Sequence, residues 1–203
     1  IKRSFIEWNF IMLLAEAESK LNQIDKNKAP IPSRNKGGRG LWIEHQLGMS
    51  PSSKLNDFDD GELKAFKEGQ TIAVTMVQHC LDEIFNPSLL YTDSKVGKKL
   101  YNVLFVKFSK YGGFVRSLTF NSTSHKELFN KLAEDYYHIC KEIRNRYVNG
   151  KELNTITGLN GLLQIRTKAN HPYRPLEYNN QQLKDKYMAF YLTRTFEKEL
   201  FDI

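Results

Sequence analysis

The sequence predicts an α/β fold, a mixed central sheet flanked by helices, and three observations predict it. The patterns run in the order helix, strands, long helix, strands, helix. Gln70 to Val77 and Val103 to Phe120 are rich in β-branched and alternating residues. Leu128, Leu132, Tyr136, Ile139, Ile143 and Tyr147 form one clean stripe at helical spacing. With 203 residues and 40% hydrophobic content, the chain is long enough for a substantial core, as one large domain or two small ones.

Each element has its own signal. Phe5, Trp8, Met12 and Ala15 recur at helical spacing beside Leu14 and Leu21, predicting a first helix. Asn22 to Gly40 mixes prolines, glycines and charges and predicts a loop. Gly40 to Gly48 resumes an apolar pattern and predicts a short helix, and Pro51 to Phe58 is polar again. Val103 to Phe108 is strongly apolar, Tyr111-Gly112-Gly113 reads as a turn, and Phe114 to Phe120 alternates, so this pair predicts a hairpin. Ser124 with Glu127 three residues on predicts a capping box at the start of the long helix, and Asn149-Gly150 predicts its end. Leu162 to Lys168 and Lys186 to Leu192 predict short strands, and Thr195 to Phe201 a closing helix.

Composition narrows the function classes. Lys and Arg total 30 against 23 acids, a net charge of +7 that suits a polyanion such as nucleic acid. The sequence has no apolar run of about 18 residues, the length a membrane-spanning helix needs, and no signal peptide is evident. Two cysteines, Cys80 and Cys140, cannot build a disulfide framework or a cysteine-based zinc site, and both read as buried thiols in a reducing cytoplasm. The five histidines are scattered without metal spacing. The chain begins at Ile1 inside an expected helix and reads as a trimmed chain or as one part of a longer protein.

The most informative stretch is Asn56-Asp57-Phe58-Asp59-Asp60-Gly61-Glu62-Leu63-Lys64. On a strand, Glu62 and Lys64 project from one face and Leu63 from the other. Leu63 then anchors the strand while the charged pair faces a cleft. Paired carboxylates offer the hard oxygen ligands that Mg²⁺ takes, and a neighbouring lysine can position a water or stabilise charge growing on a phosphate. The same pattern also fits a charged turn leading into a half-exposed strand. Gln164, Arg166 and Lys168 share one face of the predicted 162–168 strand; Arg suits guanine and Gln suits adenine in the major groove, and a solvated face is the plain alternative. The loop carrying Lys28, Arg34, Lys36 and Arg39 reads either as a basic clamp on DNA or as a surface connection.

Several separated segments extend the argument. Gly37-Gly38-Arg39-Gly40-Leu41-Trp42-Ile43-Glu44-His45-Gln46-Leu47-Gly48, then Asp57-Phe58 with Gly61-Glu62-Leu63-Lys64, then Leu163-Gln164-Ile165-Arg166-Thr167-Lys168-Ala169, then Ala189-Phe190-Tyr191-Leu192-Thr193, occur in that order. Leu13-Leu14-Ala15-Glu16-Ala17 stands ahead of them. Together they resemble the MutH family of mismatch-repair and GATC-cutting restriction endonucleases, over nearly the whole chain.

The resemblance implies a restriction-endonuclease-like fold in a single domain spanning 1–203. Its first part, 1–40, would hold the N-terminal helix and the basic glycine-rich loop. Segment 41–110 would be catalytic, and 160–195 would recognise DNA. It implies Mg²⁺ as cofactor, with Glu44, Asp57 and Glu62 as its ligands, Lys64 positioning water and Lys99 facing the scissile phosphate, with Lys98 a near alternative. It implies DNA contacts by Gln164, Arg166, Lys168, Arg39 and Lys36, and a methylation-sensing place for Tyr191. The family spaces its aspartate further from its glutamate, so Asp59 or Asp60 competes with Asp57, and the Asp57-Phe58 pair favours Asp57. Thr167 replaces the family's proline. The expected activity is a cytoplasmic type II restriction endonuclease cutting double-stranded DNA at GATC or a related site. The alternatives are a repair nickase, which would add a MutL-type partner, and a DNA-binding effector domain that does not cut. The Lys- and Asn-rich composition points to a low-GC bacterial source and favours restriction.

Overall fold

The computed structural model describes residues 12–25, 38–49, 58, 60–168 and 174–201. Phe5, Trp8, Asp57, Asp59, Lys28, Arg34, Lys36, His171 and most of the predicted 22–40 loop and 51–58 connection lie outside the described residues. In chain order the elements are α1 (Leu14–Asn22), α2 (Gly38–Leu47), β1 (Glu62–Lys67), β2 (Ile72–Met76), a 3-10 turn (Val77–Cys80), α3 (Leu81–Ile84), a second 3-10 turn (Tyr91–Asp93), α4 (Lys95–Lys99), β3 (Asn102–Phe108), β4 (Phe114–Asn121), α5 (Lys126–Val148), β5 (Ile156–Thr157), β6 (Leu163–Thr167), β7 (Leu176–Tyr178), β8 (Gln181–Lys184), β9 (Met188–Leu192) and α6 (Arg194–Phe201). The class is mixed α/β, as expected. The strands divide among three sheets, β1-β3-β4, β2-β9-β6-β5 and β7-β8, where the sequence suggested one central sheet.

β3 is buried on both faces, which is why its sequence is a continuous apolar run. Leu104, Val106 and Phe108 face one core with Leu14, Ala17 and Leu21 of α1 and Ile43 and Leu47 of α2. Val103 and Phe105 face the larger core with α5, β6 and β9. β1 pairs parallel to β3, Glu62 opposite Val103, and β4 returns antiparallel as the predicted hairpin. α1 covers the Ser117 and Thr119 side of β4: Ser117 donates to Asn22 Oδ1 at 3.0 Å and Thr119 to Glu18. Gly61, just before β1, lies so close to β3 that a Cβ there would stand 2.2 Å from the Asn102 carbonyl oxygen.

Several elements depart from these expectations. The buried face of α1 is Leu14, Ala17 and Leu21, and Ala15 is exposed. The first helix also extends to Asn22, where the composition predicts that the loop begins. The chain is already helical at Gly38, so Arg39 sits on a helix and not in the loop. The capping box at Ser124 does not form. Asn121 Oδ1 instead accepts the Thr123 and Ser124 N–H groups, α5 starts at Lys126, and Glu127 pairs with Lys131 at 3.2 Å. Ser124 is thus held in a turn, because Asn121 Oδ1 takes the Ser124 N–H that Glu127 would accept in a capping box. Finally, the β7-β8 hairpin was missed. Its signal was Asn179-Asn180, both at positive φ, a two-residue turn that asparagine tolerates.

α5 follows its predicted stripe and adds a buried acid. Asp135 is 0% exposed, and its carboxylate accepts N–H groups from Asn160, Leu162 and Leu163 at 2.6, 2.7 and 2.9 Å. Gly158 packs against it, and a Cβ there would meet the Asp135 carboxyl carbon at 2.1 Å. The carboxylate thus ties the turn before β6 to the long helix, with charge-assisted bonds that are stronger than neutral ones. Glu197 of α6 does a similar job, accepting from Gly69 N–H at 3.0 Å and pairing with Lys107 at 3.0 Å.

Asp135→Ala leaves buried donors without partners, so it lowers the free energy of unfolding by about 3 kcal/mol; a loss below about 1 kcal/mol by denaturant titration would show the carboxylate to be dispensable. Both cysteines are buried as expected, and desolvation pushes their thiols from 9.0 up to about 12. Between those values the folded chain keeps protons that the unfolded chain releases, so their contribution to stability is full below about pH 9 and is lost as pH rises toward about 12. Native protein at about pH 8 therefore resists Ellman's reagent until it unfolds, and Cys80→Ala with Cys140→Ala flattens the alkaline loss of stability.

Candidate active site

Local sequence dictates how β1 presents its side chains. Alternation sends Leu63 into the α1–α2 core, and Glu62 and Lys64 to the opposite face. Lys64 Nζ donates to Glu62 Oε2 at 2.9 Å. Lys99 Nζ donates to the other carboxylate oxygen, Oε1. Lys99 arrives there because α4 runs directly into β3, whose parallel pairing sets its start beside the start of β1. Glu62 is only 4% exposed. Its charge is therefore compensated by two ammonium groups in a partly buried setting, where screening by water and salt is reduced.

The loop ahead of β1 is pinned. Asp60 Oδ1 accepts the Leu14 N–H at 3.0 Å, and the Asp60 carbonyl accepts from Asn102 Nδ2 at 2.7 Å. Leu13, at the cap position of α1, has no side-chain acceptor, and Asp60 supplies one from a distant part of the chain. The competing metal role for Asp60 thus meets a carboxylate that already caps a helix. Asp57 and Asp59, the other two aspartates weighed for that role, lie outside the described residues.

Glu44 lies half-buried on α2, one residue after the core residue Ile43. Among the described residues no three His, Cys, Asp or Glu side chains gather as a metal-holding group. What the described residues bring together is Glu62, Lys64 and Lys99. Of these three, Lys99 also lines a cleft of about 610 Å³, together with Asp60, Gly61, Thr75, His79, Lys98 and Tyr101 among others. His79, Thr75 and Tyr101 were not foreseen. The available signal was the spacing Lys95, Lys98, Lys99, which places all three on one side of a helix.

The second predicted group lies on the β2-β9-β6-β5 sheet. Gln164 stands opposite Tyr191 and Arg166 opposite Ala189, so Gln164, Arg166 and Tyr191 share one face. The Arg166 guanidinium lies over the Tyr191 ring, 4.4 Å from its centroid, a cation–π contact. The other face of β6, with Leu163 and Ile165, packs into the core with α5. Lys168 follows the end of β6, its N–H bonded to the Tyr187 carbonyl at 2.8 Å. Arg39 lies apart from that face: its guanidinium sits over the Phe108 ring at 5.8 Å, against the α1–α2 core. Lys36 lies outside the described residues.

No helix among the described residues is long and apolar enough to cross a membrane. No protein-family model matches this chain, and no curated protein matches it.

Proposed function

We propose that this chain is a Mg²⁺-dependent endonuclease of the MutH-like, restriction-endonuclease-fold type, hydrolysing phosphodiester bonds of double-stranded DNA at GATC or a related short site. The observation that carries the reading is one buried carboxylate, Glu62, held between Lys64 and Lys99, the latter a lining residue of a lysine-rich cleft. The ordered resemblance of the separated motifs supports it, and so does a distinct polar face with Arg166 stacked on Tyr191 beside Gln164.

The donor chemistry suits a hard cation. Glu62 is a buried carboxylate whose present counter-charges are two ammonium groups, and a dication supplies the same charge. Glu62 would hold Mg²⁺ together with Asp57, and Glu44 would complete or orient the set. When bound, the metal offsets phosphate charge and makes water a better nucleophile. The chain's own groups do the rest. Lys64 positions the attacking water. Lys99 places a positive charge beside the scissile phosphate and stabilises the negative charge that grows there. Gln164 and Arg166 read adenine and guanine edges in the major groove, and Tyr191 holds the Arg166 plane in place. Lys168, with Lys36, adds positive charge along the backbone of the duplex, whereas Arg39 is turned onto the Phe108 ring.

Cleavage of methylated and unmethylated GATC duplexes, with Mg²⁺ and with EDTA, tests this directly. The expected result is double-strand cutting that needs Mg²⁺ and disappears in Glu62→Ala. Lys99→Ala lowers the cleavage rate by about 100-fold or more while duplex binding persists. Nicks alone would point to a strand-nicking repair enzyme, and binding without any cut to a non-cleaving DNA-binding domain. For the recognition face, Arg166→Ala weakens binding to the specific site by roughly 10- to 100-fold and leaves non-specific binding nearly unchanged. Equal loss on both kinds of DNA would reduce Arg166 to a phosphate contact.

A further inference from the structure

The cleft beside Glu62 has features that phosphodiester hydrolysis does not require. Its volume of about 610 Å³ falls in the usual range for small-molecule pockets, about 300–1,000 Å³. A duplex is too wide to enter such a space, whereas a single nucleotide unit fits. Lys95, Lys98 and Lys99 of α4 all line it. Two of these ammonium groups are engaged: Lys95 donates to the His79 carbonyl, and Lys99 to Glu62. Lys98 is exposed and has no ion-pair partner among the described residues, so its charge is available to an anion. Against these three cations the lining holds one carboxylate, Asp60, whose Oδ1 is taken by the α1 N–H.

The wall also carries an aromatic surface. Tyr101 is 51% exposed, yet its ring is braced edge-to-face against Phe129, centroids 6.1 Å apart at 89°. A braced, half-exposed ring is a ready stacking platform for a planar base. Thr75, Thr92 and His79 place hydroxyl and imidazole groups around the same space, suited to sugar and base edges.

The geometry points to a pocket for one nucleoside monophosphate unit, its phosphate on Lys98 next to Lys99 and its base stacked on Tyr101. The unit is either an unpaired nucleotide of a DNA strand or a free nucleotide. The choice of a DNA strand as source rests on the endonuclease reading, and the pocket itself does not.

The test is a fluorescence titration in EDTA, so that no cleavage is needed. The probes are 2-aminopurine deoxyriboside 5′-monophosphate, the same nucleoside without phosphate, a single strand carrying one 2-aminopurine, and the matching duplex. Saturable quenching of the monophosphate is expected, with the nucleoside at least about tenfold weaker. Lys98→Ala weakens the monophosphate roughly tenfold and leaves the nucleoside unchanged. Tyr101→Ala removes the quenching and weakens both. Both positions are exposed, and circular dichroism confirms that the variants fold. A strand that binds more tightly than the free monophosphate identifies DNA as the source, and the reverse order identifies a free nucleotide. No saturable binding of either probe, or affinities unchanged in both variants, overturns the pocket. Cutting of DNA without probe binding removes the pocket and keeps the endonuclease, whereas probe binding without cutting in Mg²⁺ does the opposite.

Discussion

The parallel pairing of β1 with β3 is the constraint on which the rest of the structure depends. It sets Glu62 opposite Val103 and brings the starts of two strands, 40 positions apart in sequence, to one end of a sheet. A parallel pair needs a crossover, and here the crossover carries β2, α3 and α4. Because α4 ends two residues before β3, Lys99 is delivered to the Glu62 carboxylate. The close approach has its own requirement at Gly61, where any side chain would strike the Asn102 carbonyl. Glycine at that point is a packing necessity before it is part of any motif.

Two of the buried acids, Asp135 and Glu62, serve different ends. Asp135 is satisfied entirely by backbone donors of the turn it holds, which makes it a fastener between α5 and β6. Among the described residues, Glu62 is paired with two flexible lysine side chains, both still partly open to solvent. Backbone donors are fixed by the fold, whereas ammonium groups can turn toward another anion. The carboxylate that can exchange its partners is the one at the cleft, and the carboxylate that cannot is the one inside the protein.

Much of the framework was legible in the sequence. The β3-β4 hairpin and the long α5 stripe announce themselves because their apolar spacing reflects local periodicity and one dominant core. The Glu62–Lys64 pair was legible for the same reason, since alternation on a strand needs no tertiary information. The start of α5 was misread because Asn121, at the end of β4, takes the Ser124 N–H that Glu127 would accept in a capping box, and only the course of the chain shows which of the two acceptors reaches it. The face of α1 was misread because Met12 and Ala15 fit a helical period as well as Leu14 and Ala17 do. The position of α1 on β3 and β4 decides between them.

What the sequence by itself determined is the α/β class, the positions of the principal strands and helices, and the residue types at the candidate site. Those follow from spacing, which acts over a few residues. Only the tertiary structure decided that the strands divide into three sheets, that Asp60 caps α1, and that Arg166 stacks on Tyr191. It also decided that Lys99, Tyr101 and His79 border one cleft. Each of these depends on register and crossover between segments far apart in the chain, and periodicity within a segment carries no information about either.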